Sequence, residues 1–570
     1  MAVYGSASVN GFLHAEGRKF VNGKGEEVIL EGFGTGNWQN PEGFMCGSPI
    51  PLHATIAGYE QKVAKPLPWD RKRTMNQVLI DLAGEDYAHT FWPRWEKNHL
   101  GEGDIKAMSE IGLNSVRLVL NAASFLREEP GMQWIEEGFT YLDQIIDWCE
   151  QYKVYAILDL HAAPGGQSAL ACDAGYDTRP RMFYEKESWD RAVALWEKLA
   201  RRYCKRWIVG GYELLNEPLS SPLDLDILPR LGEFYDTVIA KIRKFDKKHM
   251  FFLEGAFYST DCSLFDHEFD PGYHNWAITF HKYGFSPEKK DLYPYLEKSV
   301  EWDVPVWLGE GGAGRDENCV FLNIAKDYGI GFNFWCWKSA LHDGQARIVG
   351  HKLPKNWDKV QGYILGGGDR PTYKEAAKIF DELLENLKFE KCITNFDWIR
   401  QYRREAPFEV AAVGYDNTPG SFCPHWDFGN LLNFRPEDHT KLVFDNNLPH
   451  PVLTGHLKLN ARPGGPRIKN PNEDPLQALL LELSAGEHAE YTVRKAVKGT
   501  ELVIEGRSAG GAEITVSCNG EELGTVKLGR SQKKMKVTAA VAIPEGCFEK
   551  IRLTVTKGTA QLKKLYFTVE

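Results

Sequence analysis

Eight short apolar runs, separated by stretches with helical periodicity, limit what this chain can fold into. They begin at Val28 (VILEGFG), Asn114 (NSVRLVL), Val154 (VYAILDL), Val209 (VGGYELL), Met250 (MFFLEGA), Trp276 (WAITF), Val304 (VPVWLGE) and Gly331 (GFNFW). Strand-length runs alternating with amphipathic helices specify β/α units and a parallel sheet, and eight is the number of strands that closes a barrel. Helices are predicted in EGDIKAMSEIG, TYLDQIIDWCEQY, SWDRAVALWEKLARRYC, YDTVIAKIRKFD and YKEAAKIFDELLENL, the last of which completes the ring. A hairpin from GRKFVNGKGEEVI precedes the first strand and is placed to plug the bottom of the barrel.

A chain of 570 residues exceeds one ordinary core, and the pattern changes near residue 390. Beyond it, apolar and polar residues alternate in short runs broken by Gly and Asn, as in LLLELSAGEHAEYTV and GAEITVSCNGEELGTVKL. That alternation reads as an antiparallel β-sandwich. The expected organisation is a (β/α)8 TIM barrel over residues 1–395, a polar linker in TNFDWIRQYRREAP, and a jelly-roll-like sandwich over 406–570. Roughly sixty residues separate the first strand from the helix near Glu102, which is long for a loop in such units. Its aromatics, including Trp69, Phe91, Trp92 and Trp95, are expected to form an ordered rim around a site.

In an eight-stranded barrel the reactive groups stand where strands run out at the C-terminal face. At those points the sequence has Arg117, His161, Asn216 with Glu217, Glu254, His281 with Tyr283, Glu310 and Trp335. Two carboxylates from separated strands, aimed into one aromatic-lined cup, are what cleavage of a glycosidic bond needs. One acid protonates the leaving oxygen and one carboxylate attacks the anomeric carbon; a gap of about 5–5.5 Å gives retention, and one of about 6.5–9.5 Å gives inversion.

YELLNEPL and VPVWLGEGG resemble the acid/base and nucleophile strands of retaining glycosidases built on (β/α)8 barrels. With the Arg on the second strand, the His on the third, the Asn-Glu pair, His-x-Tyr on the sixth and Trp on the eighth, the pattern resembles glycoside hydrolase family 5. HTFWPRWEKNHLGEGDIKAMSEIGLNSVRLVL, LDLHAAPGGQSA and FWCWKSA are similar to its exo-β-1,3-glucanase branch. The resemblance covers residues 10 to 390, apart from a segment between 40 and 90 that does not align. It implies Glu217 as general acid and base, and Glu310 as nucleophile, kept ionised by Arg117 and Tyr283. It also implies Asn216 on the sugar 2-hydroxyl, His161 and His281 on hydroxyls or carboxylates, and Trp335 as sugar platform, with Glu254 among the substrate contacts. The substrate it implies is a β-glucoside or β-glucan oligosaccharide, attacked from an end, with no metal or other cofactor. A β-mannosidase or an aglycone-tolerant β-glucosidase on the same barrel is the alternative, and a catalytically silent glycan-binding protein is the rival of another class.

Blander readings stand beside these. Arg117 could simply hold a carboxylate in place, His161 could be a satisfied core histidine, and Glu254 is balanced between sugar contact and ion pair. Trp337 alternates with Trp335, so only one of them faces the site, and Trp335 is the one expected there. Trp38, Trp92 and Trp95 are more often packing than sugar platforms. The C-terminal domain resembles jelly-roll carbohydrate-binding modules in GEHAEYTV and LKKLYFTVE, but a single tryptophan, Trp426, lies beyond residue 400, which is thin for a stacking surface.

Composition narrows the partners. A formal charge of -10 with no Lys/Arg run excludes a nucleic-acid footprint and disfavours a polyanionic ligand. Eleven scattered cysteines without CxxC spacing argue against a zinc site and a disulfide framework. No apolar run is long enough to span a bilayer, so no membrane partner is expected. MAVYGSASVNGFLHAEGRKF lacks the basic and apolar regions of a signal peptide. The chain as given is therefore expected in the cytoplasm, and outside the cell if a leader has been trimmed; the sequence leaves the oligomeric state open.

Overall fold

A computed structural model describes residues 2–49, 68–128, 131–168, 173, 175–177, 179–220, 226–283, 292–312, 315–342, 344–416, 441–445 and 479–570. Trp426 and residues 50–67 of the long insertion lie outside these.

All eight apolar runs become strands of one sheet: β1 (Glu31–Gly34), β2 (Ser115–Asn121), β3 (Tyr155–Ala162), β4 (Val209–Glu213), β5 (Met250–Glu254), β6 (Trp276–Tyr283), β7 (Val306–Gly312) and β8 (Phe332–Phe334). They follow one another in chain order around the sheet, with β8 paired to β1. The ring closes between β7 and β8, where the Trp335 N–H donates to the Gly311 carbonyl at 2.9 Å. Every residue of β2 and β3 is buried, as expected for parallel strands covered on both faces. The predicted helices form at Glu102–Glu110, Glu136–Tyr152, Lys186–Tyr203, Leu228–Ile242 and Tyr373–Asn386. The last opens on a capping box, in which the Thr372 hydroxyl accepts from the Glu375 N–H and Glu375 bonds back to the Thr372 N–H.

The ladder of the N-terminal hairpin sits slightly earlier than expected, pairing His14–Glu16 with Lys19–Val21. Phe20 from it stacks on Phe252 of β5, with ring centres 5.9 Å apart. The insertion after β1 is the larger departure. Two helices, Lys72–Ala83 and Glu85–His99, carry its apolar side chains into a separate core with Phe380 and Leu383. Trp69, Phe91 and Trp95 are buried there, and Trp92 is half-buried and donates to Asn76 Oδ1 at 2.9 Å. These rings are packing, not the expected rim; a helical repeat of aromatics on one face finds its own hydrophobic partner.

By packing, the chain divides into two compact units. One comprises 1–281, 294–311 and 331–395; the other comprises 282–293, 312–330 and 396–570. The second unit holds a seven-stranded and a four-stranded antiparallel sheet. Its core includes Tyr491, Val493, Ile514, Val516, Leu553 and Phe567, together with Val320 from the helix Arg315–Ala325. Among the described residues no helix is long and apolar enough to cross a membrane.

Candidate active site

Side chains alternate across a strand, so residues in register on neighbouring strands point the same way. Val119 on β2 pairs with Asp159 on β3, Asp159 with Glu213 on β4, and Glu254 on β5 with Thr279 on β6. Arg117, two residues before Val119, and His161 and His281, two residues after Asp159 and Thr279, therefore face the barrel interior.

Arg117 is the hub and is fully buried. Its guanidinium donates to Glu310 Oε1 and to Glu213 Oε2, both at 2.5 Å, and to Asn216 Oδ1 at 2.8 Å. Asp159 Oδ2 and Glu254 Oε1 lie 3.1 and 3.3 Å from Nη2. Burial alone works against the charge on Arg117, but these carboxylates more than restore it. Asn216 is oriented from both ends: its Oδ1 accepts from Arg117, and its Nδ2 donates to His161 Nε2 at 3.4 Å. His161 Nδ1 faces Asp159 Oδ2 at 2.8 Å, and its ring lies parallel to Trp335 within 3°, 5.1 Å away.

Glu217 and Glu310 meet in this setting. Glu217 Oε1 bonds to His281 Nδ1 at 2.9 Å, and its backbone N–H donates to Glu254 Oε2 at 2.7 Å. One oxygen of Glu217, one of Glu310 and a ring nitrogen of His281 all lie within 4.8 Å of one another. Burial raises the proton affinity of Glu217; His281 opposes the rise, and the charges of Glu310 and Glu254 add to it. His281 goes the other way: burial lowers its affinity, but Glu254, Glu310 and Glu217 together lift it well above the usual imidazole range.

The same atoms bear on metal binding. Glu217, His281 and Glu310 could offer ligands to a cation, as could Glu213, Glu254 and His281. The Arg117 guanidinium already sits among these carboxylates, and a second fixed cation there would meet its charge. The donor set suits a protonated network better than a metal.

Arg117, His161, Asn216, Glu217, His281 and Glu310 thus converge, with Trp335 half-buried against His161. Trp337 points elsewhere, donating from Nε1 to Asp104 at 2.8 Å. Glu254 departs from the expected substrate contact: it is fully buried and both its oxygens are engaged by protein donors. Tyr283, at the end of β6, is 44% exposed and falls in the second compact unit. Sequence reasoning missed Asp159, Glu213 and Glu42. Glu42 is buried and its proton affinity is well raised, by burial and then by Glu310 and Glu217, so it lies within their field. An acid inside an apolar strand run, as in AILDL, was the available signal, because charged residues are almost never buried without a partner.

Residues 80–341 match the family model described as Cellulase (glycosyl hydrolase family 5). A β-xylosidase of Phanerodontia chrysosporium is 33% identical over 320 residues, covering 53% of this chain and 61% of that protein. A glucan 1,3-beta-glucosidase of Candida oleophila is 31% identical over 356 residues, covering 60% of this chain and 74% of its own. Among solved structures, an endogalactoceramidase aligns over 97% of this chain and 99% of its own, at 14% identity and a TM-score of 0.44.

Proposed function

The chain belongs to glycosyl hydrolase family 5, and from that premise we propose that it is a retaining β-glycosidase that removes glucosyl units from the ends of a β-glucan or β-glucoside. The observation that carries this reading is the approach of Glu217 and Glu310 oxygens to within 4.8 Å. Inversion needs a water between the carboxyl groups and a gap of about 6.5–9.5 Å, whereas direct attack on the anomeric carbon needs about 5–5.5 Å.

Each role follows from charge. Glu310, paired with Arg117 at 2.5 Å, is the anion that bonds to the anomeric carbon. Glu217, with its raised proton affinity, gives its proton to the leaving oxygen and later takes one from the water that releases the sugar. Asn216, fixed by Arg117 and His161, offers its amide to the 2-hydroxyl, and Trp335 supports the sugar face. The names of the glucan 1,3-beta-glucosidase relatives support glucose and attack from a chain end.

The test is turnover of aryl β-glycosides by the full chain and by Glu310→Gln, with the anomer released first identified by NMR. Expected are β-anomer first and a loss of at least about 10³-fold in kcat for the variant. Equal turnover by both proteins, or α-anomer first, sinks the reading. The 33% identical β-xylosidase favours a second reading, in which the sugar is xylose. Aryl β-xyloside and aryl β-mannoside beside the glucoside decide which sugar is taken, and laminari-oligosaccharides with products separated by size decide attack from an end.

A further inference from the structure

Beneath Glu217 and Glu310 lies a second tier of acids: Asp159 on β3, Glu213 on β4 and Glu254 on β5, each fully buried. The charged and titratable groups facing this tier are Arg117 from β2, His161 from β3, Glu217 after β4, His281 from β6 and Glu310 from β7, while the Tyr235 hydroxyl donates to the Glu254 backbone carbonyl at 2.9 Å. Five carboxyl groups therefore share the Arg117 guanidinium and the His161 and His281 rings in a largely buried space. Ionised carboxylates without a counter-charge are too costly to bury, so protons must be retained there.

One position for such a proton is marked by geometry. Glu213 Oε2 accepts from Arg117, but among the described residues no donor reaches Glu213 Oε1. One oxygen of Glu213, one of Glu254 and a nitrogen of His281 lie within 4.8 Å of one another. Two ionised carboxylates this close repel each other, and a single proton between them removes that repulsion and satisfies the orphaned oxygen. We propose that Glu213 and Glu254 share one proton, with Glu213 as donor, and that the pair is a positioning unit for the acid/base Glu217.

The link to Glu217 is direct. Glu254 Oε2 accepts the Glu217 backbone N–H at 2.7 Å, and Glu217 has φ +40°, a region sparsely populated by residues other than glycine. An anionic Glu254 clamps that backbone and also faces His281 Nε2 at 3.1 Å, on the ring whose Nδ1 bonds to the Glu217 carboxyl. The electrostatics agree: burial drives Glu213 well above the usual carboxylate range against the pull of Arg117, whereas at Glu254 burial is overcome by His281 and Arg117 and the group is held at about 2.

The kinetic consequence rests on the glycosidase reading; the shared proton does not. Infrared difference spectra of the full-length wild type against Glu213→Gln, at neutral pH, test the proton. A protonated-carboxyl C=O band present in wild type and lost in the variant is expected; no such band in the difference overturns the proposal. Two glycosides of one sugar test the positioning, one with a dinitrophenyl leaving group that departs without protonation and one with an alkyl group that needs it. Glu213→Leu, which has no donor for Glu254, is expected to lose at least about tenfold more in kcat on the alkyl glycoside than on the dinitrophenyl glycoside, whose rate reports any disturbance of Arg117 and Glu310. Glu213→Gln keeps an N–H donor and should recover most of that loss. Equal losses on both glycosides mean a merely structural role and reject the positioning unit. A wild type that shows the band but cleaves no glycoside refutes the proposed activity and leaves the shared proton standing; if Glu213→Leu does not fold, the infrared arm still decides.

Discussion

Glu217 shows how one residue's chemistry is set by its buried neighbours. The acid role proposed for it requires the proton, so turnover should fall as pH rises through its raised pKa. Burial is the largest cause of that rise, and His281 is the main group holding it back. Removing the cation leaves burial unopposed, so the sign is fixed: in His281→Asn the alkaline limb of kcat/KM should move to higher pH. The measurement is a pH–rate profile with an alkyl glycoside, whose departure depends on the acid. A limb that stays in place or moves down contradicts the assignment of His281 as the opposing charge. Because Glu217, His281, Glu254 and Glu310 titrate together, the shifted value belongs to the cluster.

At the level of elements, the barrel brings these groups together by close strand packing, and Gly309 is one position where that packing is tight beside the site. A Cβ at Gly309 would lie 2.4 Å from Thr279 Cγ2, 3.1 Å from His281 Nε2 and 3.2 Å from Glu213 Oε1. Gly309→Ala must push β6 and β7 apart, and the next residue on β7 is Glu310. Overpacking of this kind costs about 1–3 kcal/mol. Displacing the nucleophile by about 1 Å costs about 10²-fold in rate, so kcat should fall by that order while KM changes little. Gly367→Ala, with nothing within 4 Å of its Cβ, is the control and should leave both unchanged. The strands themselves were legible because each is a short, mostly apolar run of strand length, and Arg117, Asn216 and Glu310 stood out as polar residues within or at the ends of such runs. The second acid tier was harder to see. Asp159 shares strand parity with His161, which the sequence shows, but its neighbour Glu213 depends on the register shift between Ala156 and Ile157, which no local pattern encodes. The aromatics of the insertion misled for a related reason: Trp69 and Phe380 stack although more than three hundred residues separate them, and contacts at that range leave no periodicity to read.

For the whole molecule, the informative fact is that the compact units do not follow the chain. The helix Arg315–Ala325 comes shortly after Glu310 in sequence, yet its Val320 is fully buried in one core with Phe408, Val410, Tyr415 and Leu565. Polar contacts fix it further: Arg315 pairs with Glu409, Asn318 donates to the Tyr402 hydroxyl at 3.0 Å, Gln401 donates to Asp316 at 2.6 Å, and Lys326 lies 3.2 Å from Asp416. A chain ending at residue 395 keeps all eight strands with Glu217 and Glu310 but strips this helix of its core and removes Gln401, which donates to buried Asp316. Losing the surroundings of one buried valine and several buried polar groups costs several times the about 1 kcal/mol of an ordinary substitution, comparable with the about 5–15 kcal/mol that holds a domain together. Residues 1–395 expressed alone should therefore lack the cooperative thermal transition of the full chain and should not turn over any glycoside that the full chain cleaves. Calorimetry and an aryl glycoside assay on the two proteins check this. A truncated chain that melts cooperatively near the full-length Tm and keeps its kcat would make the C-terminal unit a detachable module, as a carbohydrate-binding domain would be, instead of a part of the fold that carries the nucleophile's helix.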